Sequence, residues 1–437
     1  MADSSRRYSL DLWLHGVRAA EVRQARGGNV VLQFTDAALE TWASTPTVLS
    51  VALRVRAERY SNSHTNPWVD GLLPEGGVRA AVETRFEVPA GNTFALLRAI
   101  GRECAGAVAF RAAGDDPAPP APVSTTPDVD VAAALAALRE HPLGVGEDVR
   151  VTLAGGRRKL VLVRRPDDSW GAPTASTAST HIIKPESSRF PGLVLNEAVC
   201  LAAARTLGLT TVDVEVGEFA GEPVLIVSRY DRTIDEAGLV RTVHQEDLCQ
   251  ATGTATHSPG AKYEAGGGPS LGRAAEVLGT AAVDPLRQVE QLFRLTLFNA
   301  AIGNADAHGK NLSLLHDEAG RVALAPAYDL ASTTQWTDVL AEEGDAARRR
   351  TMAMRVNGEA SIDAVTLDDF CAEARRWPLA DPDEIADELL VDYLDAIEQA
   401  ADELDAPDEL VMRLLGRGAA LHGGARAGDG DHLADLD

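Results

Sequence analysis

The sequence has few cysteines and no long apolar run, and each absence excludes a class of protein. Its 437 residues include four cysteines, at positions 104, 200, 249 and 371. They lack the close spacing of a metal site, so we expect buried, reduced thiols in a cytosolic protein. No run of about 18 apolar residues is present, so no membrane span is expected. The polar start MADSSRRYS lacks the apolar core of a signal peptide, which predicts a cytoplasmic location.

Positive charge is also scarce. Lysine and arginine total 41 against 65 acidic residues, which gives a net charge of −24 and a pI near 4.8. Affinity for duplex nucleic acid comes mostly from neutralising phosphates with Lys and Arg, so this balance excludes a general nucleic-acid-binding protein. Local basic patches remain possible at Arg157–Lys159 and Arg348–Arg350.

The clearest boundary in the chain is the stretch DDPAPPAPVSTTP at Asp115–Pro127, which has the composition of an extended linker. The length favours two or three domains. We therefore predict an amino-terminal β-rich domain (1–113), a linker (114–127), a strand lobe (128–232), a helical lobe (233–422) and a disordered tail (423–437).

Local patterns predict the elements of these units. Alternating apolar residues predict strands within 8–34 and at 160–163 and 181–185, and a β-rich run covers 149–153. The Pro and Gly content of Asn66–Gly76 predicts an ordered loop. Helices are expected from Thr126 to about His141, over 196–207, and from Asp284 and Asp383 onward.

One short stretch concentrates reactive side chains. Residues 302–311 read IGNADAHGKN, and LAPAYDL at 324–330 contains Asp329. Phosphoryl-transfer enzymes build a base and a magnesium site from an aspartate, an asparagine five positions later and a second aspartate near a strand end. We assign Asp306 as the base and Asn311 and Asp329 as Mg²⁺ ligands, because oxygen donors suit a hard cation.

His308 and Lys310 share this loop. Lys310 would neutralise the transferring phosphate, whereas His308 is either a catalytic group or a structural hydrogen-bonding residue. Taken alone, the pair Asp306 and Asn311 would also be explained by an Asx-rich turn. The interpretation as an active site therefore depends on Lys184 upstream and Asp329 downstream. Gly266–Gly268 is read as an acceptor-side or structural loop.

Residues upstream predict the nucleotide side of the site. Lys184 lies on a predicted strand and would contact the α- and β-phosphates, steadied by Glu197 on the next helix. Ala154, Gly155 and Gly156 offer backbone N–H groups to phosphate, although a hairpin turn would give the same pattern. A strand with a lysine, a helix with a glutamate and then the catalytic loop is the chain order of a protein kinase.

Taken in order, these motifs resemble the HipA serine/threonine kinases, the toxins of HipBA-type toxin–antitoxin modules. The resemblance covers nearly the whole chain and rests on WVDGLLPEG, GRECAGAVAF, TLAGGRRK (152–159), THIIKPES (180–187), SRYDR (228–232), KYEAGGGPS (262–270), IGNADAHGKN and LAPAYDL. It implies an α+β, protein-kinase-like bilobal fold of the phosphoinositide-3-kinase-like branch. The first lobe would be strand-rich and the second all-helical.

The resemblance also implies a function. The protein would be an ATP- and Mg²⁺-dependent serine/threonine-protein kinase toxin of a type II toxin–antitoxin system. It would phosphorylate a translation-related protein, such as glutamyl-tRNA synthetase or another aminoacyl-tRNA synthetase, and arrest growth. Its partner would be a small helix-turn-helix antitoxin. The protein would contact DNA only through the complex with this antitoxin.

By motif, the resemblance assigns catalysis to Asp306, metal binding to Asn311 and Asp329, and nucleotide binding to Lys184. It adds Lys159 at the end of the Gly loop and an adenine-reading hinge at Val227, Arg229 and Tyr230.

Thr152 stands where the family carries an inhibitory autophosphorylated serine, which implies self-inhibition at Thr152. The same loop departs from the family at Gly156, an alanine there, and at Arg157, a glutamine there. The direction in which Arg157 and Arg158 change phosphate contacts stays open.

Two other functions stay open. One is a non-catalytic corepressor or scaffold that binds a helix-turn-helix antitoxin on operator DNA, against which the intact catalytic set argues. The other is a small-molecule kinase, against which the long amino-terminal domain argues.

Overall fold

The computed structural model describes residues 8–25, 28–138, 152–258, 260–336 and 350–435. Within these ranges, no helix is both long enough and apolar enough to cross a membrane. Five sheets are present in this part of the chain, and each is antiparallel in the strand pairs given below.

The amino-terminal domain is a four-stranded antiparallel sheet covered by helices. Its elements are β1 (Ser9–Leu14), β2 (Val17–Gln24), β3 (Val30–Phe34), α1 (Asp36–Thr41), α2 (Asn62–Gly71), α3 (Gly76–Arg85), α4 (Thr93–Ile100) and β4 (Val108–Ala112). The strand order is β3-β2-β1-β4, so the first three predicted strands are confirmed. The prediction of a loop over Asn66–Gly76 is wrong, because α2 includes Pro67 and continues to Gly71. Burial of Trp68 and Val69 offsets the N–H that proline removes from a helix.

The strand lobe is built on a five-stranded sheet. Its elements are α5 (Val131–Ala137), β5 (Leu160–Arg164), β6 (Trp170–Gly171), β7 (His181–Pro185), α6 (Leu193–Thr206), β8 (Val214–Phe219) and β9 (Glu222–Ser228). The order is β6-β5-β7-β9-β8. Helix α5 begins later than predicted, because Asp130 rather than Thr126 caps it. The predicted end of this helix and most of the predicted strand at 149–153 lie outside the described residues.

In the described residues, the helical lobe contains half of the α-helices and three small sheets. Its elements are β10 (Arg232–Ile234), β11 (Val240–Thr242), β12 (His244–Asp247), α7 (Leu248–Thr252), α8 (Leu271–Ala281), α9 (Pro285–Ala301), β13 (Ser313–His316), β14 (Val322–Leu324), β15 (Thr351–Val356), β16 (Glu359–Ser361), α10 (Leu367–Ala374), α11 (Pro382–Leu404) and α12 (Asp408–His422). Strands β10-β11 form one sheet, β12-β13-β14 a second and β15-β16 a third. The prediction of an all-helical lobe is therefore wrong, because the chain on either side of the catalytic loop pairs as strands.

The carboxyl-terminal segment packs against the helical lobe. Ala427–Asp435 forms a 3₁₀ helix whose Ala427 is fully buried, and Asp431 pairs with the buried Arg417 at 3.1 Å. The prediction of a disordered tail is wrong for this segment. Its glycines permit close approach, because a Cβ on Gly430 would lie 2.0 Å from the carbonyl oxygen of Gly416.

Buried polar contacts fix the amino-terminal domain to the helical lobe. The carboxylate of Glu246 accepts hydrogen bonds from the Val51 amide (2.8 Å), the Trp68 indole (3.2 Å) and the His316 ring (3.1 Å). Glu246 is 1% exposed, so these donors replace the water that it loses on burial. The turn between α2 and α3 is thereby placed beside the cleft between the lobes.

Candidate active site

A cleft of about 550 Å³ separates the strand lobe from the helical lobe. All residues that the sequence assigns to the site line this cleft except Thr152. Gly71, Leu72 and Glu75 of the amino-terminal domain line it too. The cleft is therefore built by all three units.

A lysine–glutamate pair lies on the strand-lobe side. Lys184 on β7 donates from Nζ to Oε1 of Glu197 on α6 at 2.5 Å, as the sequence predicts. Burial alone would lower the pKa of Lys184, but Asp329 and Glu197 outweigh it and raise that pKa. Lys184 therefore stays protonated inside the cleft, where its ammonium could stabilise phosphate oxygens.

Asp329 meets this pair from the other lobe. Its Oδ1 accepts from Lys184 Nζ at 2.8 Å. The ammonium of Lys184, opposed by burial, holds the pKa of Asp329 well below its usual range. The backbone of Asp329 is left-handed, with φ of +57°, a conformation that is uncommon outside glycine and concentrates at functional sites.

The catalytic loop is held by its own hydrogen bonds. Asn304 accepts from the Asp306 amide at 3.1 Å and donates to the Asn299 side chain at 2.7 Å. Asn311 donates from Nδ2 to the Asp306 carbonyl at 3.1 Å, which leaves its Oδ1 as an oxygen donor. Asn311 and Asp329 thus fit a magnesium ion by donor type, because both offer oxygen.

His308 is a neutral imidazole at the cleft. It is 5% exposed, and burial lowers its pKa to about 4. Its Nδ1 has no hydrogen-bond partner within the described residues. A buried ring nitrogen without a partner is suited to bind a ligand group, so His308 stays a predicted catalytic residue.

Lys310 lines the cleft, and its predicted contact with the transferring phosphate stays a prediction. Its ammonium donates to the Gly71 carbonyl at 2.9 Å and to Asp247 Oδ2 at 3.0 Å, and lies 3.6 Å from Glu75 Oε1. The first two contacts are hydrogen bonds, and the contact with Glu75 is a longer ion pair. Lys310 therefore fastens the amino-terminal domain to the catalytic loop.

The Gly loop rests on the amino-terminal domain. The Gly155 carbonyl accepts from the Glu75 amide at 3.3 Å, and the Thr152 amide donates to the Glu103 carbonyl at 2.7 Å. Gly155 has φ of +111°, which a residue with a side chain rarely adopts. The remaining predicted members, Ala154 and Gly156, lie beside it at the cleft. The loop is thus held by another domain at two points, Thr152 and Gly155.

Lys159 is the second buried lysine on the nucleotide side. It donates to the Ala154 carbonyl at 2.8 Å. Burial, helped by the neighbouring Lys184, lowers the pKa of Lys159 to about 8. A phosphate group would restore the preference for the charged form, because an anion nearby stabilises an ammonium.

Apolar side chains line part of the cleft. Val227 lines it as predicted, together with Ile182, Leu201 and Val212, which suits a flat aromatic base. Tyr230 lies at its edge, with its hydroxyl donating to Gln245.

Arg229 lines the cleft at the predicted hinge, and its role in nucleotide binding stays a prediction. Its guanidinium is buried and donates to Asp231 at 2.8 Å and to Glu103 at 3.1 Å. Arg229 therefore stabilises the contact with the amino-terminal domain.

Two further side chains, whose partners the sequence did not indicate, complete the site. Tyr263 donates from its hydroxyl to Asp306 Oδ1 at 2.6 Å, and Arg157 donates to Glu197 Oε2 at 2.8 Å. Their partners lie 43 and 40 positions away in the chain, so no local pattern indicates either contact.

Comparison with known proteins identifies relatives over both halves of the chain. A model described as the HipA-like C-terminal domain matches residues 151–401, and one described as the HipA N-terminal domain matches residues 10–111. "Putative kinase Y4mE" of Sinorhizobium fredii is 36% identical over 84% of this chain and 85% of its own length. The serine/threonine-protein kinase toxin HipA of Shewanella oneidensis is 32% identical over 61% of this chain and 63% of its own length.

A solved structure shows the same fold. In the complex of Shewanella oneidensis HipA with HipB and operator DNA, one chain matches with a TM-score of 0.75 and 24% identity. The match covers 98% of this chain and all of the other. The predicted kinase-like α+β fold is thus confirmed, apart from the strands in the helical lobe.

Proposed function

We propose, because this chain belongs to the HipA family, that it is a serine/threonine-protein kinase toxin of a toxin–antitoxin system. The observation that carries the proposal is the placement of the Lys184–Glu197 pair and Asp329 on the same cleft as Asp306 and Asn311. Phosphoryl transfer needs a cationic side chain to hold the phosphates, oxygen ligands for the metal ion and a carboxylate base.

Each residue has a role in the proposed transfer. Lys184 and Lys159 hold the phosphates, and Glu197 fixes Lys184. Asp306 accepts the proton of the protein hydroxyl as its oxygen bonds to the γ-phosphorus, while the bond to the bridging oxygen breaks and ADP leaves. Magnesium, held by Asn311 and Asp329, would neutralise charge on the phosphates. With Asp329 as a ligand of the ion, the Lys184 ammonium would be available to phosphate.

The proposed partner is supported by a relative, and the proposed substrate rests on the resemblance to the HipA kinases. Shewanella HipA is solved with HipB on operator DNA, and we propose a small helix-turn-helix antitoxin for this chain. The net charge of −24 favours contact with DNA through that antitoxin rather than directly. The proposed substrate is a translation-related protein such as an aminoacyl-tRNA synthetase.

The proposed function is tested by expressing the chain in growing bacteria without an antitoxin. Wild type should arrest growth and add phosphate to serine or threonine of at least one translation protein, whereas Asp306→Asn should do neither. Quantitative phosphoproteomics identifies the substrate. Arrest of growth by both forms, with identical phosphoproteomes, would contradict the proposal.

Arg157 gives a prediction specific to this chain. Arg157→Gln, which restores the family residue, should weaken ATP–Mg²⁺ binding about two- to fivefold, because a half-exposed ion pair contributes up to about 1 kcal/mol. Arg158→Gln removes the same charge from the exposed neighbour and should bind ATP like wild type. Titration calorimetry compares the three proteins. Equal weakening in both variants would show that only net loop charge matters.

Thr152 gives a prediction on self-inhibition. Its side chain is fully buried, so a phosphate could not be accommodated in this conformation without desolvating its charges. We expect active enzyme to phosphorylate Thr152 of the Asp306→Asn protein in trans, and the product to bind ATP at least tenfold more weakly. Mass spectrometry and ATP titration measure these two results.

Thr152→Ala is the control for self-inhibition. It should stay active after long incubation with ATP, whereas wild type should lose activity. Phosphorylated protein that binds ATP as tightly as the unmodified form would rule out this account of the Gly loop.

A further inference from the structure

The proposed base, Asp306, is held by a side chain that the phosphoryl-transfer pattern does not include. The Tyr263 hydroxyl donates to Asp306 Oδ1 at 2.6 Å, and both residues line the cleft. A carboxylate has two oxygens with about four acceptor sites. Tyr263 therefore fixes one oxygen and leaves Oδ2 for the hydroxyl of a protein substrate.

The turn that carries Tyr263 is tightly built. The amides of Gly266 and Gly268 both donate to the Tyr263 carbonyl, at 2.9 and 2.8 Å. A Cβ on Gly268 would lie 2.7 Å from the Lys262 carbonyl oxygen and 2.8 Å from the Tyr263 carbonyl carbon. This crowding requires glycine and fixes the backbone of Tyr263.

The same turn is joined to the catalytic loop and to the amino-terminal domain. The Lys262 carbonyl accepts from the Gly309 amide at 3.3 Å, and the Lys262 ammonium pairs with Glu75 Oε2 at 3.0 Å. The Tyr263 ring meets the His308 ring edge-on, with centroids 5.3 Å apart. Tyr263 is thus placed by three separate contacts rather than by its own hydrogen bond alone.

We propose that Tyr263 is a positioning residue for phosphate transfer, which orients the Asp306 carboxylate toward the acceptor hydroxyl. The proposal rests on the kinase function proposed above. A phenol that merely blocked the acceptor position would have to move aside during each reaction. The glycine-locked turn and the ring contact with His308 oppose such movement.

The test replaces the phenol oxygen alone. Tyr263→Phe should lower kcat by about ten- to a hundredfold, the expected effect of removing a hydrogen bond to a charged group that orients the reaction. The KM for ATP should not change, because the phenol oxygen that is removed donates to Asp306, which the proposed mechanism assigns to the acceptor hydroxyl and not to ATP. Tyr60→Phe removes a phenol oxygen that donates to the Arg54 carbonyl in the amino-terminal domain, and should match wild type.

A double variant separates positioning from general stability. If Tyr263 acts through the Asp306 carboxylate, Tyr263→Phe should not slow the residual activity of Asp306→Asn any further. An additional tenfold loss of activity in the double variant would overturn the proposal. So would a Tyr263→Phe enzyme that is as fast as, or faster than, an active wild type. An inactive wild type would instead overturn the proposed kinase function.

Discussion

Asp306→Asn should reduce phosphate transfer about a thousandfold, within the range that general-base catalysis contributes. The amide is nearly the same size and can still accept the hydrogen bond from Tyr263 through its oxygen. It cannot take the proton of the acceptor hydroxyl, so the loss falls on the chemical step. ATP binding should be retained, because Asp306 lies apart from the lysines on the nucleotide side.

Initial rates with labelled ATP and titration of ATP binding measure the two expectations separately. Asp284→Asn is the matched control, because Asp284 caps α9 and asparagine caps a helix equally well. Its rate should equal that of wild type. A fully active Asp306→Asn protein would remove the aspartate from the mechanism.

Asp329→Ala should abolish the response to magnesium and lower the rate by a hundredfold or more, because a bound cation contributes several kcal/mol to stabilising phosphoryl charge. Asp329 stays ionised in the structure, since Lys184 holds its pKa low, so the charge that attracts the ion would be lost. ATP without metal should bind at least as well as before. The variant frees Lys184 from its second acceptor.

Metal-dependent ATP titration tests this expectation. Asp168→Ala is the control, because Asp168 also has a left-handed backbone, with φ of +63°, but lies in an exposed turn of the strand lobe. It should keep the wild-type response to magnesium. If Asp329→Ala still arrested growth and repressed its operator with an antitoxin, the non-catalytic corepressor function would be favoured instead.

The sequence alone predicted the residues whose roles depend on short spacing or chain order. Asp306 and Asn311 lie within one loop, and Lys184 and Glu197 lie on a strand and the helix that follows it. Such relations are fixed by local geometry, so they can be predicted before the fold is known.

Residues whose partners are distant in the chain could not be predicted. Lys310 was placed at the transferring phosphate, and the sequence did not indicate that its ammonium meets Asp247, 63 positions away. Arg229 was placed at the nucleotide hinge, and the sequence did not indicate that its guanidinium meets Glu103, 126 positions away. A cationic side chain near a motif does not reveal which carboxylate the fold will bring to it.

Composition also misled where packing decided the structure. Proline and glycine in Asn66–Gly76 predicted a loop, yet burial of Trp68 keeps Pro67 within a helix. The glycines after Gly423 predicted disorder, yet Gly430 is required by close contact with Gly416. In both segments tertiary contacts outweigh the local preference.

The central claim is that this cleft transfers the γ-phosphate of ATP to a protein hydroxyl. Its most direct test is to incubate the purified protein, magnesium and a bacterial extract with ATP labelled at either the γ- or the α-phosphate. Label from the γ-phosphate should appear on serine or threonine of protein, and none should appear with Asp306→Asn. Protein labelling from the α-phosphate, or equal labelling by wild type and Asp306→Asn, would contradict the claim.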